Sequence, residues 1–159
     1  MITFKERIEV YRIGLLCGFF SKDEVFDWID SYIEQGQLNY SNLIDVSLMQ
    51  NKKIVDIISR LKEIQGNQRC DFPIKVILGL IYKSYIENIN SEDKVVSYLH
   101  YIDSYESLPK LEERALSLML DEYSLAEREI YGSTKEVYSR IDRFLSQYAI
   151  FTDEFYLRK

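Results

Sequence analysis

Residues 73–88, PIKVILGLIYKSYIEN, are apolar on nearly every side at helical spacing. Ile74, Val76, Ile77, Leu78, Leu80, Ile81, Tyr82, Tyr85 and Ile86 leave no continuous polar face, and a helix without one is buried. The rest of the chain must therefore supply amphipathic elements that cover this segment. Pro73 suits the first turn, where its missing N–H costs nothing. Gly79 in the middle costs about 1 kcal/mol of helix propensity. Close approach of a neighbouring element would explain its presence.

The covering elements read as helices too. Thr3 with Glu6, Ser21 with Glu24, and Ser133 with Glu136 spell S/T-x-x-E capping boxes, which satisfy two orphan N–H groups at a helix start. The first opens a helix that stops at Cys17–Gly18, with Phe4, Ile8, Tyr11 and Leu15 on its apolar side. The second opens a helix closed at Gly36, with Val25, Trp28, Ile29, Tyr32 and Ile33 inward. After a polar turn at Gln37, Asn39 and Tyr40, a short helix covers about Ser41 to Met49, using Leu43, Ile44 and Leu48. Asn51 is the expected cap of a fourth helix, in which Ile54, Ile57, Ile58, Leu61 and Ile64 recur until Gly66.

The connection Asn67–Phe72 is the least helical piece before the apolar segment. Beyond that segment, Asn90 or Ser91 caps a helix to about Ser104, with Val95, Tyr98, Leu99 and Ile102 inward. Ser107 and Pro109 start the longest helix, to about Ile130, ended by Gly132, whose apolar set reads Leu111, Ala115, Leu118, Met119, Tyr123, Ala126 and Ile130. The eighth helix carries Val137, Ile141, Phe144, Leu145 and Tyr148, and Phe151, Phe155 and Tyr156 pack down a short tail. No segment alternates with the period of a half-buried strand, so the expected class is all-α. At 159 residues, with two prolines and six glycines, the expectation is one domain over residues 1–159. It is a compact orthogonal bundle of about eight helices around residues 73–88. A short stack of helical hairpins is the alternative, because hairpin starts near residues 3, 41, 73 and 109 are evenly spaced. No residue pattern recurs at that spacing, so the bundle is favoured.

Charge narrows the partners. The formal net charge is −6, with four basic against eight acidic residues over 1–50, eight against six over 51–100, and eight against twelve over 101–159. Such a chain repels phosphate backbones, so direct nucleic-acid binding is not expected, and a basic protein is the natural complement. Cys17 and Cys70 lie too far apart for a metal motif and read as reduced thiols of a cytoplasmic protein. The apolar run Ile13–Phe20 is followed at once by Ser21, Lys22, Asp23 and Glu24, and Leu15 and Leu16 precede Cys17. That argues against a signal peptide, a lipoprotein anchor or a membrane span.

Catalytic signals are weak. His100 is the single histidine, with no serine or cysteine paired to it by sequence logic and no glutamate three residues before it. No Gly-rich phosphate loop, H-E-x-x-H or EF-hand pattern occurs, so no cofactor or metal is expected. Asp27 with Asp30, Glu112 with Glu113, and Asp121 with Glu122 could in principle do acid–base work. Such pairs on amphipathic helices are usually solvated. No enzymatic activity is therefore expected.

Asp23, Asp27, Asp30 and Glu34 differ in kind. They fall at i, i+4, i+7 and i+11, with no Lys or Arg between Lys22 and Lys52. Like charges at such spacings destabilise a helix, and Asp30 and Glu34 stand toward the dipole's wrong end. A local rule broken without local gain points to function, set against the plainer reading of a solvated face. These four acids, extended by Glu112 and Glu113 of the long helix, form the expected partner-binding set. The tyrosines Tyr98, Tyr101 and Tyr105 make a stripe that reads as core more readily than as interface.

The run GFFSKDEVFDWIDSYI from Gly18 to Ile33, with LIDVSL at Leu43–Leu48 and IISRLKEI ending at Ile64, resembles the N-terminal part of small helical bacterial immunity proteins of polymorphic or contact-dependent toxin loci. The resemblance covers about the first 65 residues. It implies a non-catalytic protein that binds one cognate toxin domain in the cytoplasm and blocks its active site. Many such toxins are nucleases with basic clefts, which an acidic inhibitor complements. The alternative is a hairpin-type scaffold or adaptor holding a peptide or protein in a tyrosine-lined groove.

Overall fold

In the computed structural model, residues 2–36, 41–65, 71–105 and 108–156 are described, and every regular element among them is helical. The backbone contacts fall into two compact units, residues 2–70 and residues 71–159. The first contains α1 (Phe4–Cys17), α2 (Lys22–Glu34), α3 (Ser41–Ser47) and α4 (Ile54–Gln65). The second contains α5 (Phe72–Ile86), α6 (Glu92–Asp103), α7 (Lys110–Glu127), α8 (Thr134–Ser146), a 3-10 turn (Ala149–Thr152) and α9 (Asp153–Tyr156).

In the first unit, α1 and α2 start on complete capping boxes: the Thr3 and Ser21 hydroxyls accept from the Glu6 and Glu24 N–H, and each glutamate accepts from the cap's N–H. Gly18 closes α1 in the left-handed region, at φ 79°. α1 packs on α4 and α2, while α3 bridges α2 and α4. The sequence makes α1 amphipathic, yet Arg7, Glu9 and Arg12 are buried along with its apolar side chains. The burial is tolerable for Arg12 because its Nε and Nη2 donate to Glu9 Oε2 and Oε1 at 2.8 and 2.6 Å, a bidentate pair. Asn51 does not cap α4. The helix starts three residues later, with the Lys53 carbonyl accepting from the Asp56 and Ile57 N–H. The expected turn at Gln37–Tyr40 and the stop at Gly66 lie outside the described residues, as does most of Asn67–Phe72.

In the second unit, α5 is buried along most of its length and packs against α6, α8 and the 3-10 turn, which makes it the centre of that unit. A Cβ built on Gly79 would stand 2.4 Å from the Tyr148 carbonyl oxygen and 2.7 Å from Thr152 Cγ2. The glycine is therefore there for the close approach. Ser91 caps α6, and Pro109 stands at the start of α7; Ser107 lies outside the described residues. Ser133 accepts from the Glu136 N–H at 3.2 Å, which is one half of the expected box.

Two corrections concern α7. It ends at Glu127, ahead of the Gly132 stop, because Glu129 takes a left-handed φ of 58° and the Ile130 N–H donates back to the Leu125 carbonyl at 2.9 Å. This is a Schellman ending, completed by the Glu129 N–H on the Ala126 carbonyl. The helix is also turned partly from its expected phase. Met119, Tyr123 and Ala126 face inward as expected, joined by Leu116 and Leu120, whereas Leu111, Leu118 and Ile130 are exposed. Two apolar rows run along this helix, and packing on α6 and α8 selects the row that includes Glu112.

Candidate functional site

The α2 row comes from sequence alone. The capping boxes and the buried seam of Val25, Phe26 and Ile29 fix the rotation of the helix, so that Asp23, Asp27, Asp30 and Glu34 are all exposed. Half-buried Trp28 stacks on Tyr11, ring centroids 4.4 Å apart, beside Phe4 and Tyr32. It thus belongs to the aromatic packing between α1 and α2. No Lys or Arg among the described residues forms an ion pair with the four carboxylates. Lys22, the nearest basic residue in sequence, donates instead to the Lys52 carbonyl at 2.9 Å. Among the described residues, the row is a line of negative charge without an ion-pair partner on a well-anchored helix.

Glu112 and Glu113 belong to the other unit and separate from each other. Glu113 is exposed. Glu112 is only 5% exposed, and its Oε1 accepts from the Tyr148 hydroxyl at 3.0 Å. Its removal from the surface set follows from the rotation of α7. The bond has an effect at Tyr148, whose own titration is pushed up first by burial and then by the carboxylate it bonds. Of the remaining acid pair, Asp121 is exposed and Glu122 is ion-paired with Arg140.

Sequence reasoning missed a shallow groove of about 390 Å³ between α6 and α7. Asp93, Ser97 and Tyr101 line it from α6 at i, i+4 and i+8, and Tyr123 and Glu127 from α7 at i and i+4. That spacing was visible in the sequence. What was not visible is that the start of α6 lies beside the end of α7. His100 also lines the groove and is exposed. The tyrosine stripe splits here: Tyr98 is buried, its hydroxyl donating to Asn90 Oδ1 at 3.1 Å, Tyr105 is half-buried, and Tyr101 is 56% exposed.

The groove is electronegative. Ionisation of Tyr123 is pushed up by burial first, and then by the carboxylates of Asp93, Glu92 and Glu127. Nearby, the Tyr85 hydroxyl donates to Glu92 Oε1 at 3.3 Å, and its ring lies 5.1 Å from that of Tyr138. Tyr138 is buried, and its hydroxyl has no hydrogen-bond partner among the described residues.

Cys17 is a free, buried thiol whose Sγ donates to the Gly14 carbonyl, and burial pushes its pKa up to about 11. That is the behaviour of an inert structural thiol. Cys70 lies outside the described residues. Among the described residues no three His, Cys, Asp or Glu are placed to hold a metal ion, and no helix is long and apolar enough to cross a membrane. No protein-family model, curated protein or solved structure matches this chain.

Proposed function

We propose that the chain is an immunity protein. It binds a cognate bacterial toxin domain in the cytoplasm and covers the active site through its acidic surface, without catalysis of its own. The observation that carries this reading is the α2 row, four exposed carboxylates with no ion-pair partner among the described residues. Charges held together on one face raise the encounter rate with a basic surface and select against acidic ones. A nuclease, whose cleft is basic because it must bind phosphates, is the toxin class that fits. The resemblance of residues 18–64 to immunity proteins supports the same reading, and the buried, unreactive Cys17 suits a reducing compartment.

The test begins with capture of the partner from the native cell. The captured protein should kill cells that lack this chain and spare those that express it. Reversing Asp23, Asp27, Asp30 and Glu34 to lysine should then weaken the complex at least about tenfold by calorimetry, since close interfacial charge pairs contribute about 1.5 kcal/mol or more. The circular dichroism spectrum should stay unchanged, because all four side chains are exposed. Unaltered affinity in that variant would reject α2 as the contact face.

A further inference from the structure

We infer that the outer face of α7 pairs with the same face of a second copy of this chain, the two helices running antiparallel about a two-fold axis at Leu118. Leu111, Leu118 and Leu125 recur at every seventh residue of α7 and are 69%, 61% and 39% exposed, although leucine is among the residue types most often buried. Arg114, Asp121 and Arg128, each three residues after a leucine, are exposed on the same side. The outward residues therefore read Leu-Arg-Leu-Asp-Leu-Arg at the alternating spacing of a coiled-coil seam, with a charge at every second place. The opposite face of α7, which holds Leu116, Leu120 and Tyr123, is already packed within the fold. Leucines scattered singly over a surface call for no explanation, but a line of three about 21 Å long marks an interaction face.

The charges choose the occupant and its direction. In a parallel pair each charge would meet its own copy, Arg114 on Arg114 and Asp121 on Asp121. An antiparallel pair centred on Leu118 sets that leucine on itself and brings Leu111 level with Leu125 of the second copy, each about 10.5 Å from the centre. Arg114, about 6 Å from the centre, then falls beside Asp121 of the second copy, about 4.5 Å to the same side, and the axis repeats the pair. Neither Arg114 nor Asp121 forms an ion pair among the described residues, whereas the neighbouring Glu122 is held by Arg140 of α8. One register thus satisfies the apolar row and the charges together, which is the self-complementarity a two-fold interface requires. The exposed Lys110 and Arg128 approach each other only at the ends of the pair, in solvent, where salt screens them. An 18-residue helix is about 27 Å long and about 10 Å across, short of the roughly 800 Å² per partner of a standard interface. The dimer is therefore a weak, concentration-dependent one. It uses no residue of the α2 row, so it stands apart from the immunity reading.

Sedimentation equilibrium of the full-length chain, from micromolar to millimolar concentration, should show the mass rising from 18.9 kDa toward twice that value. Leu118→Glu sets two carboxylates on the axis and should leave the chain monomeric over that range. Its circular dichroism should not change, because the side chain is exposed in the single chain. Arg114→Glu and Asp121→Arg should each weaken the dimer about tenfold, since either change turns two attractive pairs repulsive. The double variant should restore it, because the antiparallel register merely exchanges the two charges. In a parallel pair the single changes would keep like charges opposed and move nothing. A chain monomeric throughout would leave the face to a different protein and overturn the assignment. A dimer that survives Leu118→Glu, single charge changes without effect, or a double variant as weak as the single ones would overturn it equally.

Discussion

Gly79→Ala isolates the contact at the centre of the second unit. Two opposing terms meet at this position. Alanine gains about 1 kcal/mol of helix propensity over glycine in the interior of α5. Against this, its Cβ would stand 2.4 Å from the Tyr148 oxygen, 3.0 Å from the Tyr148 carbonyl carbon and 2.7 Å from Thr152 Cγ2. Two of these atoms are backbone, so no rotamer change removes the clash. To restore ordinary contact, the segment from Tyr148 to Thr152 must retreat by roughly 1 Å, and a gap of that size forfeits a quarter to a half of each opened contact. The segment carries buried Tyr148 and Thr152, so those losses fall in packed surroundings. Overpacking of this kind costs about 1–3 kcal/mol. With propensity subtracted, a net destabilisation of about 1 kcal/mol, and at most about 2 kcal/mol, is expected. Urea denaturation followed by far-ultraviolet circular dichroism reads it as a lower midpoint at unchanged slope. A midpoint equal to or above that of the parent chain would show that propensity governs this position and that the close approach does not.

Tyr148→Phe removes the hydroxyl that bonds buried Glu112, the bond described for that carboxylate. Stranding a buried acceptor costs about 1–3 kcal/mol by the same denaturation assay, and the double variant with Glu112→Met should recover part of the loss. Alkaline pH supplies another check. Cys17 keeps its proton in the folded state to about pH 11, whereas an unfolded thiol releases it near pH 9. Its contribution to stability is therefore complete below pH 9 and declines as pH rises from there through 11. Cys17→Ala should flatten the fall in stability over that interval, leaving the part due to the buried tyrosines, whose ionisation is also pushed up. An identical pH profile in the variant would refute the role given to the thiol.

Several helix starts were written in local residues, because caps act within one turn. Thr3, Ser21 and Ser91 each find their partner three residues away, and no tertiary contact is needed to place them. The same locality made the α2 row legible: one strong apolar seam leaves a helix a single way to face, and the carboxylates fall opposite it. The burial of residues 73–81, Lys75 apart, was legible too, since their composition offers little surface to water, whereas Ile86, also expected inward, is exposed. Gly79 announced a close neighbour without saying which one.

The tertiary structure decided the cases in which the local code was satisfied twice. α7 has two usable apolar rows, and only its neighbours choose between Leu111–Leu118 and Leu116–Tyr123. That choice buries Glu112, leaves Glu113 outside and presents Tyr123 and Glu127 to α6. The groove has the same origin. Asp93 and Glu127 lie 34 positions apart in the chain, and nothing local to either records the other. Sequence sets what each helix can bury, because burial preference belongs to the single side chain. Which carboxylates come together is a property of helix pairs, and it exists only once they pack.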